Sequence, residues 1–251
     1  MNITQHIQKD IGDGIKMNYM RYTGGSKNVV VWYHGVGEEG PIDGSKIDLV
    51  EKLEGFPRFA RGKRPWGSTI TGSIEYPFDI IAVQVKKHSD FAQSYDFLKP
   101  RILPFLRDEY GYQNIIVGGI SMGNYGAYRL IIDPPGKELL KGFVAICGSA
   151  STSSISSMVK LPGIAWHGTA DPTVAFSGHK SFVDAYNEAG GSIEFNTLID
   201  RAHNAWTYAF NTNIAKDRTA QKVIEMFTHS ERDKKLKDFQ TAKSNLQTLI
   251  A

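Results

Sequence analysis

The sequence Gly119-Ile120-Ser121-Met122-Gly123 is the pattern in this chain best suited to chemistry. It directly follows the apolar run Asn114-Ile115-Ile116-Val117 and precedes a segment of helical character over residues 124–132. A buried strand that turns sharply into a helix through Gly-x-Ser-x-Gly lifts the serine hydroxyl clear of a sheet. Gly119 and Gly123 then mark where the strand and helix backbones nearly touch. A serine held in a strained conformation at such a tip points to nucleophilic attack on an acyl carbon.

A serine hydroxyl is a weak nucleophile at neutral pH, so it needs a base, and the base needs an acid to orient it. In this strand–turn–helix arrangement the partners follow in the order serine, Asp or Glu, histidine. Asp171 fits the acid. It stands in His167-Gly168-Thr169-Ala170-Asp171-Pro172-Thr173-Val174, after a predicted strand at 161–166. Asp133 falls at a helix end, Asp184 within a helix, and Asp200 three residues from the candidate base. Shaping an Asp-Pro turn is the alternative role for Asp171. His203 fits the base, in the loop Asp200-Arg201-Ala202-His203-Asn204-Ala205-Trp206 after the last predicted strand. His34 and His167 end strands and read as loop-shaping or site-lining residues. His179 falls on a helix, and His6 and His229 lie near the chain ends.

The oxyanion formed on attack needs N–H donors. One is the amide of Met122. The other belongs to His34-Gly35-Val36-Gly37-Glu38, where the sequence leaves Gly35 and Val36 both open. Trp206, Tyr125, Trp66 and Phe176 are candidate walls of a substrate pocket, with core packing the alternative for each. The histidines lack a spacing such as His-Glu-x-x-His, so no metal site and no cofactor are expected.

These groups must be held by the elements around them. Strand-like runs at 15–22, 28–33, 78–85, 114–120, 139–147, 161–166 and 192–199 alternate with helical runs at 46–53, 90–110, 122–132 and 177–189, and helical segments continue from 214. Pro100 and Pro104 suggest a kink or break in the second of these helices. Such alternation implies an α/β fold: a mostly parallel central sheet with helices on both faces. The chain reads as one domain, 1–251, with an insertion-like rim at 38–77 and a C-terminal helix at 231–251. The thin apolar stripe of that helix suits packing on its own domain or a homodimer contact.

The composition is that of an ordinary globular protein. Of 251 residues, 41% are hydrophobic and 22% charged. A net charge of +3 is too small to argue for a nucleic-acid partner. The run Arg58-Phe59-Ala60-Arg61-Gly62-Lys63-Arg64 is the one local excess of positive charge and reads as a solvated loop face, with a patch for an anionic substrate or surface the alternative. The single cysteine, Cys147, falls in an apolar run and reads as a buried thiol. No run reaches the ~18 apolar residues of a membrane span, and the first ten residues have no apolar core of a signal peptide. A cytoplasmic location is therefore expected, with a secreted mature form, its leader removed, the alternative.

Taken together, Tyr33-His34-Gly35-Val36-Gly37-Glu38, Gly119-Ile120-Ser121-Met122-Gly123, the segment 167–174 and His203-Asn204-Ala205-Trp206 resemble the α/β-hydrolase superfamily. Within it they are similar to polyhydroxybutyrate depolymerases and feruloyl esterases, with dienelactone-hydrolase-like enzymes nearby. The resemblance spans residues 28–210. It implies Ser121 as nucleophile, Asp171 as acid and His203 as base, acting on small or glycan-linked esters through an acyl-enzyme. Three departures stand out. Many of the resembled enzymes carry a leader peptide, and none is visible here. Residue 124 is Asn where the resembled enzymes usually carry another Gly, and the elbow holds Ser121 where dienelactone hydrolases hold a cysteine. A peptidase or an acyltransferase would use the same residues, and a non-catalytic binding protein can keep the same fold.

Overall fold

The computed structural model describes residues 1–53, 55–62, 74–85, 98–210, 216–230 and 240. Eight strands form one sheet: β1 (Asn2–Asp10), β2 (Lys16–Thr23), β3 (Asn28–Tyr33), β4 (Asp79–Gln84), β5 (Asn114–Ile120), β6 (Leu140–Ile146), β7 (Pro162–Gly168) and β8 (Ser192–Leu198). Their order is β1-β2-β4-β3-β5-β6-β7-β8. β1 pairs antiparallel with β2, and β2 with β4; every other pairing is parallel. The parallel strands share one carboxyl end, so the loops after β3, β5, β7 and β8 emerge on the same side.

Side chains alternate between the two faces of each strand, and this sorts the core into two layers. Val29, Val31 and Tyr33 of β3 join one apolar cluster with Ile102, Leu103 and Leu106, Ala127 and Tyr128, and Phe182 and Tyr186. These come from helices α2 (Ile102–Tyr110), α3 (Met122–Leu130) and α4 (Phe176–Glu188). Val30 and Trp32 of the same strand join the opposite cluster. There the sheet is covered by Phe56 and Phe59 of α1 (Phe56–Arg61), Ala209 of the short α5 (Trp206–Ala209), and Val223, Met226 and Phe227 of a helix over residues 218–230. Buried on both faces, β3, β4 and β5 read as continuous apolar runs. No described helix is long and apolar enough to cross a membrane.

The structure differs from the sequence reading at several points. β1 is an unexpected edge strand. Its half-exposed pattern carries little apolar periodicity, and its register shifts between His6 and Lys9. There Gln8 takes a φ of 51° and its N–H donates to Asn18 Oδ1 at 2.7 Å, the signature of a bulge. The 46–53 helix is a short 3-10 turn, Ile47–Glu51. Within the expected helix 90–110, residues 99–101 form a turn and α2 starts at Ile102. Pro104 thereby falls in the first turn, where its missing N–H costs nothing.

The basic run is not a solvated face in its first half. Arg58 is buried and its guanidinium donates to the Lys52 carbonyl. Arg61 Nε donates to the buried Glu51 carboxylate at 2.5 Å, and that carboxylate also accepts the Tyr22 hydroxyl. Lys63, Arg64 and Trp66, residues 90–97 of the expected helix, and nearly all of 231–251 lie outside the described residues.

Candidate active site

β5 ends at Ile120, and Ser121 follows with φ 52° and ψ −117°. This is a left-handed conformation for a non-glycine residue, and it costs on the order of 1–3 kcal/mol. The surroundings hold it there. The Ser121 N–H donates to the Ile146 carbonyl of the neighbouring strand at 2.7 Å. A Cβ on Gly123 would lie 2.2 Å from the Tyr33 carbonyl oxygen, so only glycine lets α3 begin this close to β3. Asn124, fully buried, uses its amide in both directions on one residue. Its Nδ2 donates to the Ile146 carbonyl at 2.6 Å, and its Oδ1 accepts the Ile146 N–H at 3.2 Å. Asn124 thus pins the first turn of α3 to the end of β6, a role a glycine could not fill.

At the carboxyl end of β6, Cys147 has a φ of 44°, and its N–H donates to the Trp166 carbonyl at 2.8 Å. Its thiol is buried, and burial pushes its pKa well up, as expected for an inert sulfur.

The Ser121 hydroxyl lies 2.8 Å from His203 Nε2, and His203 Nδ1 lies 2.7 Å from Asp171 Oδ2. A carboxylate only accepts, so the His203 proton sits on Nδ1, and Nε2 accepts from the serine hydroxyl. The three residues stand on the loops after β5, β7 and β8. Two of those loops are laced together: the Ala170 N–H donates to the Arg201 carbonyl at 3.0 Å, and the Asp200 N–H to Thr169 Oγ1 at 2.9 Å. A Cβ on Gly168 would meet the Arg201 carbonyl at 2.1 Å, so glycine is required for this approach.

The Asp171 side chain has no solvent contact, whereas that of His203 is 19% exposed. Burial works against the charge on Asp171. The His203 N–H outweighs it together with the Val174 and Thr173 amides, which donate to Oδ1 at 3.0 and 2.8 Å. The net effect holds the carboxyl below its ordinary range, so it stays ionised.

The loop after β3 faces this elbow. His34 is fully buried; its Nε2 accepts the Val85 N–H at 3.1 Å, so its Nδ1–H donates to the Gly35 carbonyl at 2.8 Å. Burial pulls this imidazole down to about 4 and keeps it neutral. The Glu38 carboxyl, also buried, accepts the Gly35 N–H at 2.9 Å and the Leu53 N–H at 2.7 Å. Gly35 is thereby withdrawn as a donor to substrate. Among the described residues, the Val36 and Met122 N–H groups have no acceptor. Met122 opens α3, where the aligned peptide dipoles favour negative charge.

The pocket residues divide. The Trp206 ring meets His203 edge to face at 5.5 Å between centroids. Tyr125 is exposed on the first turns of α3, with the Arg129 guanidinium 5.3 Å from its ring centre. Phe176 instead stacks on Phe195 and meets His167 edge-on, so its described ring contacts lie with the surroundings of the acid loop. His167, read as a loop-shaping or site-lining residue, and His179, placed on a helix, are both fully buried and in contact. Nothing in the sequence joins them, because one ends β7 and the other lies on α4.

Solved structures share the fold that carries these residues. A thermostable esterase aligns over 90% of this chain and 62% of its own length, at 21% identity and a TM-score of 0.61. A truncated carbohydrate esterase from gut microbiota aligns over 90% and 96%, at 10% identity and the same TM-score. This chain has the α/β-hydrolase fold. Esterase 2 of Thermogutta terrifontis, in a form phosphorylated by paraoxon, aligns on the same hydrolase fold over 89% and 91%, at 16% identity and a TM-score of 0.57. No protein-family model and no curated protein sequence matches the chain. The likeness is therefore one of fold, and the chemistry has to be argued from the residues.

Proposed function

We propose that this protein is a serine hydrolase of carboxylic esters, with Ser121 as nucleophile, His203 as general base and Asp171 as the acid that orients it. The observation that carries the reading is the continuous array from Ser121 Oγ through both nitrogens of His203 to Asp171 Oδ2, at 2.8 and 2.7 Å, ending on a strained serine. Ser121 Oγ attacks the ester carbonyl carbon as its proton passes to His203 Nε2. Asp171 stabilises the imidazolium. The N–H groups of Met122 and Val36 receive the oxyanion. Collapse expels the alcohol with the proton from His203, and water then releases the carboxylic acid by the same sequence of transfers.

The finer reading is a small or carbohydrate-linked ester, acetyl or feruloyl. Trp206, edge to face with His203, supports it as an aromatic surface suited to a sugar or aryl group, and Tyr125 is exposed four residues along the chain from Ser121. Intact-protein mass after treatment with a fluorophosphonate tests the chemistry. One adduct is expected on the wild type and none on Ser121→Ala. A folded wild type that takes up no adduct would sink the proposal. A panel of p-nitrophenyl acetate and methyl ferulate then addresses the acyl group.

A further inference from the structure

Behind Asp171 runs a second line of polar groups. His167 Nε2 lies 2.9 Å from the Val174 carbonyl oxygen and 3.1 Å from Asp171 Oδ2, the same oxygen that holds His203. His167 Nδ1 lies 2.8 Å from His179 Nδ1, and His179 Nε2 lies 2.8 Å from the Tyr128 hydroxyl. Hydrogen-bond logic gives this chain one direction. Nε2 of His167 faces two acceptors, so it carries a proton. In a neutral imidazole its Nδ1 then accepts, and His179 must donate from Nδ1. His179 Nε2 in turn accepts, and Tyr128 donates. Burial lowers both imidazoles, His179 to about 3, consistent with two neutral rings.

The chain also crosses elements. It starts on α3, the helix that Ser121 caps, passes through α4 and β7, and ends on the acid loop. Phe176, Phe182 and Phe195 pack against its rings.

We infer that His167, backed by His179 and Tyr128, is a positioning residue that fixes the Asp171 carboxylate relative to the serine helix and moderates its negative charge. This rests on the reading of Asp171 as the acid that orients His203. With His167 in place, Asp171 accepts from Thr173, Val174 and His203 and faces a fourth N–H; without it, Oδ2 answers to His203 alone. A less solvated carboxylate holds the imidazolium more strongly. Among the described residues, the other titratable groups facing this assembly are Tyr186 near Tyr128 and Cys147 near Asp171, and the variants below leave both unchanged.

The test compares the pH dependence of kcat/KM on p-nitrophenyl acetate in wild type, His167→Phe and His167→Gln. Phe keeps a ring and removes both nitrogens, whereas Gln keeps an N–H donor. His167→Phe is expected to lose about tenfold in kcat with little change in KM. Its acidic limb should move to higher pH by about half a unit. His167→Gln should restore most of both. A folded His167→Phe with an unmoved acidic limb overturns the inference. If that variant does not fold, Tyr128→Phe and nitrogen-15 spectra of wild-type imidazoles decide. Protons on His167 Nε2 and His179 Nδ1 are expected, and the reverse tautomers overturn the chain. Fluorophosphonate labelling separates the two readings. A wild type that is not labelled defeats the esterase proposal and this one with it, whereas a labelled wild type with an unmoved His167→Phe profile defeats this one alone.

Discussion

Replacing Glu38 with glutamine should remove a specific pH dependence from the stability of this protein. Burial pushes the Glu38 carboxyl up to about 7, against the opposing pull of the Leu53 and Gly35 amides. A folded-state value above the unfolded 4.5 means that the native protein binds this proton more tightly than the unfolded chain. The resulting contribution is fully present below pH 4.5 and is lost as pH rises through about 7. At about 1.4 kcal/mol per pH unit, the displacement is worth about 3 kcal/mol between those limits. Glutamine has no such proton. It also sets an NH2 group against one of the two N–H donors, which costs about 1–3 kcal/mol relative to the protonated carboxyl and does not vary with pH. The measurement is urea unfolding of wild type and Glu38→Gln at half-unit steps from pH 4.5 to 8. Wild-type stability minus that of the variant, in which other titrating groups cancel, should fall by about 3 kcal/mol with rising pH, from the wild type being the more stable to parity or a reversal in favour of the variant. That is roughly 1 M in the urea midpoint. A difference that stays flat to within about 0.5 kcal/mol would refute the argument, because it would show Glu38 titrating alike in both states.

Other expectations follow from single contacts. Asn124→Ala strips the Ile146 N–H and carbonyl of their buried partner and leaves a void, and should cost about 2–4 kcal/mol in urea unfolding. Trp206→Ala removes the aromatic ring beside His203 without touching a hydrogen bond of the array. It should raise KM for aryl esters by about three- to tenfold and leave kcat nearly unchanged in steady-state assays.

The meeting of Ser121, Asp171 and His203 is legible in the sequence because each lies just past a strand-like run, and parallel strands send such loops to one end of the sheet. The strands β3 and β5 are legible for the same reason: Val-Val-Val-Trp-Tyr and Ile-Ile-Val leave little choice. β1 is not, because an edge strand half open to water needs no apolar alternation. Nor does spacing reveal that Glu38 turns inward onto Gly35, or that His179 on α4 faces His167 on β7. Those contacts depend on how closely separate elements pack. Asn124 shows the limit most plainly. As a departure from the resembled pattern it offers no task, until β6 is seen to end against it.

One asymmetry of the site has a consequence for water. Asp171, His167 and His179 have no solvent contact, and His203 keeps a modest opening. Protons of the interior rings are therefore sealed from the surrounding liquid, while the His203 ring has its own contact with it. A molecule transferred to heavy water should exchange the His203 ring proton quickly and those on His167 and His179 only when the fold opens. For hydrogen ions the imidazole of His203 is a doorway, and behind it lies a closed room.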